Sequence, residues 1–119
     1  MQITERIENG IVVLKIEGEL TYKNKEVFKD HLRPILHDPS VKGLILNCEQ
    51  VQMMDSSAIG QIILASQTLS HRGLKCALGG MNEKVKHLFE TLMAIEKILN
   101  VFSTQAEALA YVNFDHHED

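Results

Sequence analysis

The sequence predicts one α/β domain built on a mixed β-sheet, in which an N-terminal antiparallel hairpin is followed by parallel strands and about four helices. Three observations predict this fold class. A turn signal, Asn9-Gly10, stands directly before a run of β-branched residues, which is typical of a hairpin. Strand-like and helix-like patterns then alternate along the chain, as in α/β proteins. Finally, Leu44-Ile45-Leu46 is continuously apolar, which indicates a parallel strand covered on both faces.

The first half of the chain predicts three strands and one helix. They are a strand over Ile3–Ile7, a strand over Ile11–Ile16 that ends at Gly18, a helix over Glu26–His37 and a strand over Val41–Cys48. The helix is predicted because Phe28, Leu32 and Ile35 follow a 3.6-residue period. Pro34 conflicts locally with this helix, because proline removes one backbone hydrogen bond.

The second half predicts three helices and two strands. They are a helix with an apolar face from Ile59 to Leu69, a strand over Leu74–Leu78, a helix capped by Asn82, a strand over Ile98–Phe102 and a helix opened by Thr104. The middle helix has the clearest amphipathic spacing, carried by Val85, Leu88, Phe89, Leu92 and Met93. Thr104 and Glu107 fit a capping box. Residues 1–113 are predicted to form the domain, and residues 114–119 a flexible C-terminal tail.

Size and charge limit the functions that this chain can perform. Its 119 residues fit one compact domain. A formal net charge of −4 argues against a nucleic-acid partner, which requires a basic face. The apolar runs are too short for direct membrane insertion, and the N-terminus lacks a signal-peptide pattern. We therefore expect a cytoplasmic protein. Cys48 and Cys76 lie in apolar runs and are expected to be buried free thiols.

Motifs for cofactors, metals and catalysis are absent from the sequence. It contains no phosphate-binding loop of the Walker type, no Gly-x-Gly-x-x-Gly and no Cys-x-x-Cys. The six histidines follow no known ligand spacing, so we expect no metal and no cofactor. Ser56 stands where a strand should feed a helix, but the nucleophile-elbow pattern Gly-x-Ser-x-Gly is missing. A small enzyme acting through Ser56 is thus the weakest hypothesis, and we expect no enzyme.

The most informative segment is Asp55-Ser56-Ser57, which joins a predicted strand to a predicted helix. Two interpretations remain open for it. Asp and Ser are favoured helix N-caps, so the segment is explained by capping alone. It also lies at the carboxyl end of a parallel strand, where open α/β sheets place functional sites. A phosphate on a serine there would add a charge of about −1.5 to −2.

Together these features resemble the STAS family, the domain shared by sulfate transporters and anti-sigma factor antagonists. Met54-Asp55-Ser56-Ser57-Ala58-Ile59-Gly60 resembles the family signature Asp-Ser-Ser/Thr-Gly-Leu-Gly. The resemblance also rests, in the family's order, on Gly18-Glu19-Leu20, Leu44-Ile45-Leu46-Asn47, Arg72-Gly73, Val85-Lys86-His87-Leu88-Phe89 and Ala106-Glu107-Ala108-Leu109. It implies a single STAS-like domain, and a free-standing domain of this length resembles a bacterial anti-sigma factor antagonist.

The resemblance implies a function by binding. In the family, the unphosphorylated antagonist binds an anti-sigma factor that is also a serine kinase, and phosphorylation by that kinase separates the pair until a phosphatase resets it. The phosphoacceptor is the serine directly after the aspartate, hence Ser56, with Ser57 as the adjacent alternative. The expected partner-binding residues are Thr21, Tyr22, Met53, Asp55, Ser57 and Ile59.

Three departures from the family pattern are visible. Thr21 stands where many antagonists carry Asp, Ala58 replaces the usual Gly, and Glu83 lies near where many members have Pro. An alternative hypothesis keeps the fold without the switch. In it the chain is a scaffold or an accessory subunit of a transporter or signalling complex, and Ser56 is only a cap. The sequence leaves the oligomeric state open.

Overall fold

A computed structural model of the chain describes residues 1–91 and 99–114. The described residues form the following elements in chain order: β1 (Gln2–Glu8), β2 (Ile11–Leu20), a 3₁₀ turn (Tyr22–Asn24), α1 (Lys25–His37), β3 (Gly43–Met54), α2 (Ser56–His71), β4 (Lys75–Gly79), α3 (Glu83–Thr91), β5 (Asn100–Phe102) and α4 (Gln105–Phe114). This order confirms the predicted α/β architecture.

The strands form one sheet in the order β1-β2-β3-β4-β5. β1 pairs antiparallel with β2, and the remaining neighbours are parallel, as predicted. Asn9 and Gly10 have φ angles of 52° and 84°, which a two-residue hairpin turn between right-twisted strands requires. The carboxyl ends of β2 and β3 therefore lie side by side at one edge of the sheet.

Each face of the sheet is covered by helices. Alternate residues of β2, such as Val12 and Leu14, pack in a core cluster with Phe28 of α1 and Ile62 of α2. The opposite face, represented by Ile11, Val13, Ile45 and Ala77, packs against Ala108 and Val112 of α4. Burial on both faces explains why the central strands read as continuous apolar runs.

Two strands are longer than predicted. β2 continues through Gly18 to Leu20, because Gly18 adopts a φ of 97° beside irregularities in the β2–β3 register, as in a β-bulge. β3 likewise does not end at Cys48. It remains paired with β2 as far as the Leu20–Met54 partners, so the predicted ends of both strands are wrong. The extension brings Asp55 directly beside the end of β2.

Most of the predicted local signals are confirmed. The Oδ1 of Asn82 accepts a hydrogen bond from the Val85 N–H, and the Thr104 Oγ1 accepts one from the Glu107 N–H, as N-caps do. Pro34 lies inside α1. The described part of α4 ends at Phe114, one residue beyond the predicted domain boundary. Predictions for Leu92, Met93, Ile98 and the tail residues 115–119 concern positions outside the described residues.

Both cysteines are buried free thiols, as predicted. Burial raises the pKa of the Cys48 thiol to about 12. It also raises the pKa of the Cys76 thiol to about 12, with a smaller contribution from Cys48. Both side chains belong to the core cluster on the α1 and α2 face of the sheet, so they act as apolar packing groups.

Candidate functional site

Asp55 is the residue that caps helix α2. Its backbone is extended, with φ −118° and ψ 178°, and its Oδ1 accepts a hydrogen bond from the Ala58 N–H at 3.1 Å. Its carbonyl oxygen accepts the first helical bond, from the Ile59 N–H, at 3.1 Å. Ser56 is therefore the first residue inside the helix. Helix capping therefore explains why Asp55 stands at this position, but it gives no role to the Ser56 side chain.

The same carboxylate also holds the loop that follows β2. The Tyr22 N–H donates a hydrogen bond to the Asp55 Oδ2 at 2.8 Å. This contact spans 33 positions in the chain and exists because β2 and β3 end together at the Leu20–Met54 pair. Asp55 thus connects the start of α2 to the 3₁₀ turn through its two carboxylate oxygens.

Thr21 supports this turn from within. Its Oγ1 accepts a hydrogen bond from the Lys23 N–H at 3.4 Å, and its carbonyl oxygen accepts one from the Asn24 N–H at 2.9 Å. The residue is only 5% exposed. Thr21 therefore orients the turn that presents Tyr22, and it offers almost no surface of its own to a partner.

The hydrogen bonds to Asp55 set its charge state. Partial burial opposes ionisation and acts to raise its pKa. The hydrogen bonds that the carboxylate accepts from the Tyr22 N–H, the Ser57 hydroxyl and the Ala58 N–H outweigh this effect, so the pKa of Asp55 lies below its usual range. Asp55 is thus a fixed negative charge beside the two serines at neutral pH.

The two serines differ in their surroundings. The Ser57 Oγ donates a hydrogen bond to the Asp55 Oδ1 at 2.8 Å, and the residue is half-buried. Ser56 is exposed. Among the residues that the structure describes, its hydroxyl has no hydrogen-bond partner. The residue closer to the signature aspartate is therefore also the more accessible to an enzyme.

Two large side chains near Asp55 in the chain or through its hydrogen bonds are exposed. Tyr22 is 69% exposed and Met53 is 54% exposed. We define the Ser56 surface as Tyr22, Met53, Asp55, Ser56 and Ser57. Ile59 does not belong to it, because this side chain is 3% exposed and packs in the core. The expectation that Ile59 contacts a partner directly is thus not met in this conformation.

Metal-binding clusters and membrane-spanning helices are absent from the described residues. Within them, no group of three or more His, Cys, Asp or Glu side chains is arranged to hold a metal ion. None of the helices in the described ranges is long and apolar enough to cross a membrane.

Comparison with known proteins then identifies the family. The model of the STAS domain matches residues 2–108. This chain belongs to the STAS family. The match includes the hairpin, the central strands and the Asp55-Ser56-Ser57 segment, so the Ser56 surface lies within the matched part of the chain.

The chain is similar to two proteins described as anti-sigma factor antagonists and to a third that was solved in a phosphorylated form. The anti-sigma F factor antagonist of Paenibacillus polymyxa is 21% identical over 109 residues, which cover 92% of each chain. A crystal structure from Thermotoga maritima, assigned as an anti-sigma factor antagonist, has a TM-score of 0.84 and 26% identity, covering 93% of this chain and 94% of that one.

The third is the Bacillus cell fate determinant SpoIIAA in its phosphorylated form. It has a TM-score of 0.71 and 20% identity, and the match covers 93% of this chain and 99% of that one. The STAS domain described here therefore shares its fold with a protein whose structure has been solved in a phosphorylated state.

Proposed function

We propose that this STAS domain is a partner-binding regulatory module of the anti-sigma factor antagonist type, switched off when a kinase-type anti-sigma factor phosphorylates Ser56. The similarity to named antagonists along nearly the whole chain supports the class of protein. The proposed role makes the protein a substrate and binding partner rather than an enzyme. It also places the protein in the cytoplasm with the kinase and a resetting phosphatase.

One observation carries the choice of Ser56. Its hydroxyl is exposed at the first residue of α2, and no hydrogen bond to the described residues holds it in place. Phosphorylation of Ser57 would instead break its hydrogen bond to Asp55 and place the phosphate against that carboxylate. Ser56 is therefore the acceptor that can be modified without breaking a hydrogen bond to Asp55.

A phosphate on Ser56 is expected to leave the fold intact. The N-terminus of a helix favours anions, because its dipole and its unpaired N–H groups carry partial positive charge. The first turn of α2 contains no acidic side chain. The Asp55 carboxylate still adds like-charge repulsion, so the phosphorylated form should be folded but strongly anionic at this point.

The phosphate is expected to lower the affinity for the partner protein. A partner that covers the Ser56 surface must remove water from the added charge of about −1.5 to −2, next to an aspartate that is already ionised. Burying such a charge without a counter-ion costs several kcal/mol. Because about 1.4 kcal/mol corresponds to a factor of ten in affinity, one phosphate would weaken binding by about a hundredfold or more.

Tyr22 and Met53 are the proposed anchors of the unphosphorylated complex. Both are large and more than half exposed, and aromatic and methionine side chains are enriched in protein interfaces. Thr21 and Ile59 contribute indirectly, by supporting the 3₁₀ turn and the first turn of α2. Asp55 holds both elements in register.

Phosphorylation by a purified anti-sigma factor kinase with ATP tests the acceptor. Intact-mass spectrometry should show one added phosphate on the unmodified protein and on the Ser57→Ala variant, and none on Ser56→Ala. Ser70→Ala, an exposed serine at the other end of α2, is the matched control and should be modified normally. Phosphate on Ser57, or none on the unmodified protein, would contradict the proposal.

Binding to the same kinase tests the switch. The unphosphorylated protein and Ser56→Ala should bind equally, and the phosphorylated protein should bind about a hundredfold more weakly. Treatment with a serine phosphatase should restore binding. If phosphorylation leaves the affinity unchanged, Ser56 is not a switch and the scaffold hypothesis becomes the better account of this STAS domain.

A further inference from the structure

A second surface of the molecule combines apolar and charged groups in a way that the Ser56 surface does not use. Helices α1 and α2 pack beside each other, and a groove of about 200 Å³ runs between them. Its apolar lining consists of Leu32, Leu36, Leu64 and Ala65. We refer to it as the α1–α2 groove.

The groove is preformed. Arg72, directly after α2, donates one hydrogen bond to the Leu36 carbonyl at 2.7 Å and another to the Asp38 carbonyl at 2.8 Å. The guanidinium thereby fastens the end of α2 to the end of α1. A partner would meet a fixed pair of helices, and less binding energy would be lost in ordering them.

Leu64 gives this groove an exposed apolar edge. It is 55% exposed, although it lies in the middle of α2. The residues one turn before and after it that also line the groove, Gln61 and Thr68, are polar. A single exposed leucine needs no explanation by itself. Here, however, it lines the groove together with Leu32, Leu36 and Ala65, and we call these four side chains the apolar strip.

The other wall of the groove is basic. Lys29, Arg33 and His37 of α1 line it, and none of the described residues around the groove is a carboxylate. Lys29 has no ion-pair partner among the described residues, whereas Arg33 pairs with Asp30 at 3.2 Å on the exposed side of α1. That pair is solvent-exposed and weak. The groove wall is thus positive on a chain with a formal net charge of −4.

We propose that the α1–α2 groove binds an acidic amphipathic helix of a partner protein. Apolar side chains spaced one turn apart would enter the strip formed by Leu36, Leu64 and their neighbours, as in other helix-in-groove complexes. Acidic residues on the flank of the helix would face Lys29 and Arg33.

This inference does not depend on the phosphorylation of Ser56. That residue does not line the groove, so a partner helix could dock while the Ser56 surface is free, bound or phosphorylated. Loss of the switch would leave the groove unaffected, and loss of the groove would leave the switch unaffected.

A designed peptide tests the proposal directly. The probe is a helical peptide with leucines on one face and glutamates on the other, and the control peptide carries lysine at every glutamate position. In methyl NMR of the full chain, the acidic peptide should shift Leu36 and Leu64 in a saturable way. The lysine peptide should bind at least about tenfold more weakly, which corresponds to about 1.4 kcal/mol.

Charge exchange separates recognition from non-specific attraction. The double substitution Lys29→Glu/Arg33→Glu should lower the affinity for the acidic peptide by about tenfold or more. It should also allow the lysine peptide to bind. Lys84→Glu/Lys86→Glu changes the net charge equally at exposed positions of α3 and should leave both affinities unchanged. Leu64→Ala should lower the affinity for the acidic peptide. The variant should remain folded, because the Leu64 side chain is largely exposed.

Several results would overturn the proposal. Shifts from the acidic peptide that map outside α1 and α2, or equal losses in the two double variants, would show that no specific groove site exists. Concentration-dependent dimerisation in sedimentation that Leu64→Ala abolishes would show that a second copy of the chain occupies the groove instead.

Discussion

Replacement of Asp55 by alanine should destabilise the protein far more than removal of an ordinary surface carboxylate. The structure assigns this one side chain two separate tasks. It caps α2 through the Ala58 N–H, and it holds the 3₁₀ turn through the Tyr22 N–H. Asp55→Ala removes both of these hydrogen bonds together with the one from the Ser57 hydroxyl, and it leaves two backbone donors without their partner.

The expected loss can be worked from these contacts. A lost N-cap costs about 0.5–2 kcal/mol, typically about 1. A hydrogen bond to a charged group is worth about 1.5–3 kcal/mol when buried, but the Tyr22 contact is exposed, so water replaces much of it and about 1 kcal/mol remains. The free energy of unfolding should fall by about 2 kcal/mol. Asp55→Asn should lose about half of this, because asparagine still caps a helix.

Urea denaturation followed by circular dichroism measures this loss. With a slope of about 1–3 kcal/mol per molar urea, the midpoint should move by about 1 M at an unchanged slope. The matched control is Asp30→Ala, which removes an exposed carboxylate paired with Arg33 and should cost less than about 0.5 kcal/mol. Equal midpoints for the Asp55→Ala and Asp30→Ala variants would refute the assignment of Asp55 as the connecting residue.

The pH dependence provides a second readout of the same contacts. The pKa of Asp55 is lower in the folded protein than in the unfolded chain, so its carboxylate stabilises the fold fully above the ordinary value of about 3.9. This contribution disappears as the pH falls through the lowered pKa, because both states are then protonated. The stability gap between the unmodified protein and Asp55→Asn should therefore narrow on acidification. A gap that widens would contradict the sign of the shift.

Four further predictions concern the scaffold. In Gly79→Ala, the new Cβ would lie 2.8 and 2.9 Å from backbone atoms at the start of α4, so thermal unfolding should show a loss of about 1–3 kcal/mol. Gly60→Ala meets no atom within 4 Å and should be neutral or stabilising by up to about 1 kcal/mol. Cys48 and Cys76, with pKa values raised to about 12, should resist iodoacetamide at pH 8 in the native state and react in urea. Thr104→Ala should cost about 1 kcal/mol of stability through the lost cap of α4.

Local signals in the sequence are sufficient to predict the described helices and the order of helices and strands along the chain. The 3.6-residue spacing of Phe28, Leu32 and Ile35 predicts α1 despite Pro34, because periodic burial depends only on neighbouring positions. Asn9-Gly10 predicts the hairpin for the same reason, since the turn conformation is a property of the dipeptide itself.

The ends of β2 and β3 could not be predicted in this way. Gly18 is a plausible strand end in sequence, yet the strand bulges there and continues. Whether a strand continues past a glycine depends on its pairing partner, and β3 supplies that partner from more than thirty positions away. The Tyr22–Asp55 hydrogen bond depends on the same register, so no local pattern identifies it.

Ile59 is a different case, because the sequence already contained the correct answer. Its spacing to Ile62 and Leu69 predicts the buried face of α2, and the structure places all three in the core. The signature motif suggested a contact role for the same residue. Helical periodicity is the stronger guide here, since a side chain that faces the sheet cannot also face a partner.

Around Ser56, the residue that stabilises the local structure, Asp55, is different from the residue that is proposed to be phosphorylated. Both carboxylate oxygens of Asp55 accept hydrogen bonds, from the Tyr22 N–H, the Ser57 hydroxyl and the Ala58 N–H. The Ser56 hydroxyl makes no hydrogen bond to the described residues. A phosphate on Ser56 therefore adds negative charge to the protein surface without breaking a hydrogen bond that stabilises the fold. A protein whose partner must leave while its own fold persists needs this separation, because an acceptor that also capped the helix would lose stability each time it was modified.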